Sequence, residues 1–149
     1  MIYLDADACP VKDQVYRVAA RYGVPLTVVA NARLRIPVEA NLAAELVVVP
    51  GSPDAADDWI AERAGPGDLV LTADIPLAAR VLERGARCLD FRGGEFQPSR
   101  IGDALAARDL NAYLRTMGLT TGGPSAFSPR DRSRFASLLD AAVGKLART

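Results

Sequence analysis

The sequence predicts a doubly wound α/β domain, in which helices cover both faces of a parallel sheet. Three observations point there. Residues 2–5, 26–30, 46–49, 69–72 and 87–91 form short apolar runs without polar alternation, as expected of strands buried on both faces. Segments with helical spacing separate these runs and give a βαβα rhythm. Glycine and proline punctuate the joints, as in Pro50-Gly51-Ser52-Pro53 and Gly65-Pro66-Gly67.

Each element has a local reason. The strand over 2–5 stops at Asp5 and Asp7. Pro10 suits a first helical turn, and Val11, Val15, Val18 and Ala19 recur at helical spacing in a helix over 10–22 that Gly23 ends. A β-branched strand spans 26–30. Residues 31–37 are a loop carrying Arg33 and Arg35, followed by a short helix over 38–44 and a strand over 46–49. Ser52 caps and Pro53 opens a helix that runs to Ala64. A strand over 69–72, a helix over 76–84 and a strand over 87–91 complete the repeating part. From about residue 98 the pattern becomes helical: 101–117, a glycine-rich link over 118–124, and 128–147 with Ser128 and Pro129 as cap and first turn. The expectation is one domain over 1–149 with a helical C-terminal part.

Composition narrows the function classes. Half of the 149 residues are apolar and 24% are charged, as in ordinary globular proteins rather than fibrous or unfolded ones. No apolar stretch approaches the ~20 residues of a membrane span, so no membrane partner is expected. The first strand begins at once, without a signal-type segment, and Cys9 and Cys88 are the only cysteines. A reduced, cytoplasmic setting is therefore expected. Net charge is zero but uneven: residues 1–74 hold 11 acids against 6 bases, and residues 75–149 hold 7 against 12. Arginine supplies 16 of the 18 basic residues, and its planar fork suits bidentate contact with phosphate.

The carboxylates are the chemical signal. Asp5 and Asp7, one residue apart, share a side of an extended segment. At about 5 Å and an effective dielectric near 20 they repel by roughly 3 kcal/mol, which calls for a divalent cation, a shared proton or open solvent. The chain has no histidine, so a Ser-His-Asp triad is excluded. GxGxxG and P-loop patterns are also absent, so no dinucleotide is expected. Further acids follow later strands: Asp54, Asp57 and Asp58 after the third, Asp74 after the fourth, and Asp90 at the end of the fifth. Parallel sheets place ligands at that edge. Such a cluster suits Mg²⁺ or Mn²⁺, and two ions ~3.5–4 Å apart could cleave a phosphodiester. Each acid also has a structural reading. Asp54 favours a helix dipole, and Asp54, Asp57 and Asp58 lie opposite the arc of Ala56, Trp59 and Ile60 as a solvated face would. Asp74 can cap a helix, and Asp90 can pair with Arg92 or Arg100. Cys9 reads as a small, half-buried residue.

At these residues the sequence resembles a known family. Asp-Ala-Asp-Ala-Cys-Pro-Val-Lys (5–12), Asp-Ala-Ala-Asp-Asp-Trp-Ile (54–60), Thr-Ala-Asp-Ile-Pro-Leu-Ala (72–78) and Gly-Gly-Pro-Ser-Ala-Phe (122–127) resemble the YaiI/YqxD family of uncharacterised bacterial proteins. The resemblance covers nearly the whole chain and implies no established activity. More distantly, the layout is similar to PIN-like and NYN ribonucleases. That likeness implies strand order 3-2-1-4-5 and gives Asp5, Asp57 and Asp74 the metal-binding roles. Ala56-Asp57-Asp58-Trp59-Ile60 is similar to the Ala-Asp-x-aromatic-Ile of YacP-like NYN proteins, which favours Asp57 over Asp58.

The leading expectation is a Mg²⁺- or Mn²⁺-dependent, RNA-directed nuclease. Asp5, Asp57 and Asp74 would bind metal, with Asp7 as a further ligand or water-positioner. Asp54, Asp58 and Asp90 stand as second-line acids. Arg33, Arg35, Arg92, Arg130, Arg132 and Arg134 are candidates for phosphate contact, and no clustered stacking platform for bases is visible. Two alternatives stay open. One is a haloacid-dehalogenase-like phosphatase using Asp5 and Asp7. Against it, Pro10 leaves no room for that family's flap, and neither Lys12 nor Lys145 is placed like its lysine. The other is a non-catalytic RNA- or protein-binding module.

Overall fold

Every residue of β1 (Ile2–Asp5) and β2 (Leu26–Ala30) is buried, so neither strand faces water on either side. A computed structural model of the protein, describing residues 1–52, 54–119 and 125–148, shows why. The remaining strands are β3 (Ala44–Val48), β4 (Leu69–Leu71), β5 (Arg87–Leu89) and β6 (Glu95–Phe96). The helices are α1 (Lys12–Tyr22), α2 (Ala55–Arg63), α3 (Ile75–Glu83), α4 (Ile101–Thr116) and α5 (Pro129–Ala147). The six strands form one sheet in the order β3-β2-β1-β4-β5-β6. All pairings are parallel except β5 with β6. The order 3-2-1-4-5 thus holds, and β1 and β4 lie side by side at the point where it reverses.

The two-residue side-chain period of the strands sorts the core into two faces. Ile2, Leu4, Leu26, Val28 and Leu71 meet α1 and α5 on one face. Tyr3, Val29, Val70 and Cys88 meet α2 and α3 on the other. By the same alternation Asp5 falls on the α2/α3 face. Phe135 of α5 is fully buried and meets the Phe91 ring edge to face at 5.9 Å. Ser128 and Asp131 form a reciprocal capping box that starts α5. α4 packs beside α3 and buries none of its residues fully. No helix among the described residues is long and apolar enough to cross a membrane.

Several expectations change. Residues 38–44 are not helical. Leu34, Ile36 and Leu42 pack against the α1/α5-side core, Asn41 takes a left-handed turn (φ 67°), and Ala44 already pairs with Leu26. Burial of these apolar side chains against the sheet edge outweighs the weak local helical pattern. β6 was not expected; it is two residues long, below the length at which alternation is detectable. α1 begins at Lys12 rather than Pro10, and Asp54 rather than Ser52 is the cap residue of α2. Asp90 pairs with neither arginine side chain. Its Oδ1 accepts the backbone N–H groups of Arg92 (2.8 Å) and Gly94 (2.9 Å) and closes the β5–β6 turn. Gly93 in that turn has φ 93°, and a Cβ there would lie 2.5 Å from the Arg134 Cβ, so glycine lets the turn reach α5. Pro53 and most of the 118–124 link lie outside the described residues.

Candidate active site

The site is built at the carboxyl edge where β1 and β4 run together. Asp5, the last residue of β1, is 8% exposed. Thr72, directly after β4, is fully buried and donates its hydroxyl to Asp5 Oδ2 at 2.7 Å. The same Thr72 oxygen accepts the Asp74 backbone N–H at 3.0 Å. Asp74 then caps α3, its Oδ1 accepting the Leu77 N–H at 2.9 Å. One threonine therefore fixes both aspartates, and Asp74 Oδ2 is left free of the cap.

Asp57 enters from α2. At 100° per residue it falls between Ile60 and Ala61, both buried, and so turns toward the sheet rather than toward solvent. The solvated-face alternative does not hold for Asp57, which is half-buried, while Trp59 packs partly buried against the α2/α3-side core, edge-on to Tyr3 and beneath Arg63. Burial is the first cause that pushes the Asp57 carboxyl up to about 7, followed by the negative charges of Asp74 and Asp5 and a hydrogen bond with Asp74. Burial likewise raises the Asp5 carboxyl, against the opposing Thr72 hydrogen bond, with Asp74 and Asp7 adding to the rise. Three acids thus press on one another at one edge.

The other acids sit differently. Asp7 has left the strand for the following turn, and both its oxygens accept the Asn31 N–H, at 3.2 and 3.0 Å. It no longer shares a side of an extended segment with Asp5. Asp58 forms an exposed ion pair with Arg80 at 2.7 Å. Asp54 is exposed and adds to the field that raises Asp57. Among the described residues, no three cysteine or carboxylate side chains are gathered into a ready-made metal cage. Mg²⁺, however, is commonly held by one or two carboxylates, with water and substrate phosphate completing the shell. The donor chemistry of Asp57 and Asp74, with Asp5 behind them, fits that mode. Cys9 is buried rather than half-buried, and burial pushes its thiol up to about 11, which leaves it no nucleophilic role.

The predicted arginines divide. Arg92 binds Asp131 at 3.1 Å and the Ser125 carbonyl, and Arg132 pairs with Asp13. Arg33, Arg35, Arg130 and Arg134 are exposed. Two features escaped the sequence reading. A groove of about 390 Å³ runs along Ala73, Asp74 and Ile75, and Arg108, Asn111 and Arg115 of α4 form its far wall. Across the same ridge, Phe91, Phe96, Phe127 and Arg92 line a cavity of about 570 Å³ with Ala73 and Ile75. The expectation of no aromatic cluster is corrected: chain separation, 91 against 127, hid one that the fold assembles.

The family model described as "Uncharacterized BCR, YaiI/YqxD family" matches residues 3–145. The chain belongs to the YaiI/YqxD family. Among its relatives, a protein of Caulobacter sp. (strain K31) is 55% identical over 148 residues, covering 99% of this chain and 97% of its own. One from Rhodopseudomonas palustris (strain BisB18) is 53% identical over 148 residues, covering 99% and 94%. Another, from Brucella suis (strain ATCC 23445 / NCTC 10510), is 54% identical over 147 residues, covering 99% and 91%. All three bear the name UPF0178 protein, which states no activity. No solved structure matches the chain.

Proposed function

We propose that this YaiI/YqxD protein hydrolyses phosphodiester bonds in RNA at a Mg²⁺- or Mn²⁺-dependent site formed by Asp57, Asp74 and Asp5. The observation that carries the reading is the gathering of these three acids at one edge of the sheet, where burial first, and then the charges of Asp74 and Asp5, push the Asp57 carboxyl up to about 7. A site that binds a proton there for lack of other positive charge is one where a divalent cation gains by taking its place. Bound there, Mg²⁺ or Mn²⁺ would supply an acidified water and positive charge for the phosphoryl oxygens.

The chain's own part is positional. Thr72 holds Asp5, the α3 cap holds Asp74, and α2 delivers Asp57 between them. The Asn31 N–H holds Asp7, whose charge reaches Asp5, and in this reading Asp7 orients water. In the reaction the water oxygen bonds to phosphorus, one P–O ester bond breaks, and the water's proton ends on the leaving oxygen.

The test is cleavage of end-labelled RNA in Mn²⁺, Mg²⁺ or EDTA by wild type, Asp57→Asn and Asp74→Asn. Asparagine still caps α3 at position 74, so loss of activity there is not loss of the helix. Products that require metal and vanish in both variants are expected. Metal-independent products, equal cleavage by the variants, or no cleavage at all would overturn the reading.

A further inference from the structure

The ridge Ala73-Asp74-Ile75 separates two unlike surfaces. On one side lies the aromatic cavity of about 570 Å³, within the range that holds small organic ligands. Phe96 and Phe127 line it, and the Arg92 guanidinium lies over the Phe127 ring, 6.0 Å from its centre. Asp90 lies at its edge, with Oδ1 spent on two backbone amides. On the other side, Arg108, Asn111 and Arg115 fall at i, i+3 and i+7 of α4 and share one helix face. All three are exposed. Among the described residues, Arg108 has one ion pair, with its neighbour Asp109 at 3.7 Å, and Arg115 has none. One surface suits a planar base and the other an anion, and Asp74 stands between them.

We propose that this ridge binds single-stranded nucleic acid, with one base in the Phe96/Phe127 cavity and the adjoining backbone phosphates along Arg108, Asn111 and Arg115. The inference rests on the phosphodiester reading for placing the reacting phosphate at Asp74, and it names the form of substrate. Only an unpaired base can turn out of its stack into a cavity, and only a chain continuing past the ridge reaches the second surface. A base-paired duplex fails the first condition. Neutralising the α4 arginines by phosphate also supplies the attraction that the acidic edge lacks.

The experiment measures binding in EDTA, so that it is independent of metal and of cleavage. Anisotropy of a labelled single-stranded oligonucleotide, as RNA and as DNA, is compared with that of the same sequence as a blunt duplex, across a salt series. Either single strand should bind at least about tenfold more tightly than the duplex. Phe127→Leu, which keeps apolar volume but removes the flat face, should weaken single-strand binding about tenfold. The exposed double variant Arg108→Ala/Arg115→Ala should weaken it and lower the salt slope by about 1.4, at roughly 0.7 per phosphate contact. Should Phe127→Leu not fold, the double variant decides alone, since exposed charges contribute little to stability. Duplex binding as tight as single-strand binding, folded variants that bind as wild type, or no wild-type binding at low salt would each overturn the proposal. Metal-dependent cleavage, measured separately, would still decide the hydrolytic reading.

Discussion

Replacing Asp57 with asparagine removes a charge from a place where charge is costly, and the consequence depends on pH. The Asp57 carboxyl moves from 3.8 to about 7 on folding, mainly through burial and then through Asp74 and Asp5. Between about pH 4 and 7 the unfolded chain has therefore lost this proton while the folded protein keeps it. Folding takes up a proton in that window, so stability falls as pH rises through it and levels off above about 7. Three pKa units correspond to about 4 kcal/mol. Asp57 is only half-buried, and solvent screening cuts this to about 2 kcal/mol. Asparagine has no such slope and can still donate a hydrogen bond to Asp74. In EDTA at pH 8, Asp57→Asn should thus be more stable than wild type by about 2 kcal/mol, a rise in Tm of about 4–8 °C for a chain of this size. At pH 4 the two should melt together. Thermal melts followed by circular dichroism across pH 4–8 make the comparison. A Tm difference that does not change with pH, or a variant less stable at pH 8, would refute the reasoning.

Asp58→Asn separates the neighbouring acid from the site: its ion pair with Arg80 is exposed on both sides, so stability should shift by less than about 1 kcal/mol with no added pH slope in the same melts. Phe135→Ala empties the centre of the α1/α5-side core and should cost about 3–5 kcal/mol in urea unfolding. Tyr16→Phe should be neutral or stabilising by up to about 1 kcal/mol, because the Tyr16 hydroxyl is buried without a hydrogen-bond partner among the described residues.

Most of the sheet was legible because its strands are short apolar runs, mostly buried, and the segments between them carry helical spacing punctuated by glycine and proline. Ser128-Pro129 announced α5 correctly, and Asp74 announced the start of α3. What failed depended on tertiary packing. Over 38–44 a weak helical pattern gave way to the packing of Leu42, beside Leu34 and Ile36 of the preceding loop, against the core. The solvated alternative for Asp57 failed because the arc of Ala56, Trp59 and Ile60 left out Ala61 and Ala64, which are also buried. Ala56, Ile60, Ala61 and Ala64 set the centre of the buried arc, and Asp57 lies within it. A wheel weighted toward small buried residues would have found this. No local signal places Arg108, Asn111 and Arg115 beside Asp74, because only the packing of α4 on α3 brings them there. Phe91, Phe96 and Phe127 likewise converge through the β5–β6 turn and the approach to α5.

The central claim, that Asp57 and Asp74 form a divalent-cation site at the β1/β4 edge, is tested most directly by Mn²⁺ titration followed by electron paramagnetic resonance. The measurement compares wild type with Asp57→Asn, Asp74→Asn and Asp58→Asn near pH 7.5. One saturable Mn²⁺ site in wild type and in Asp58→Asn, lost or greatly weakened in the other two, is the predicted result. Equal binding by all four proteins, or no saturable binding by wild type, would contradict it.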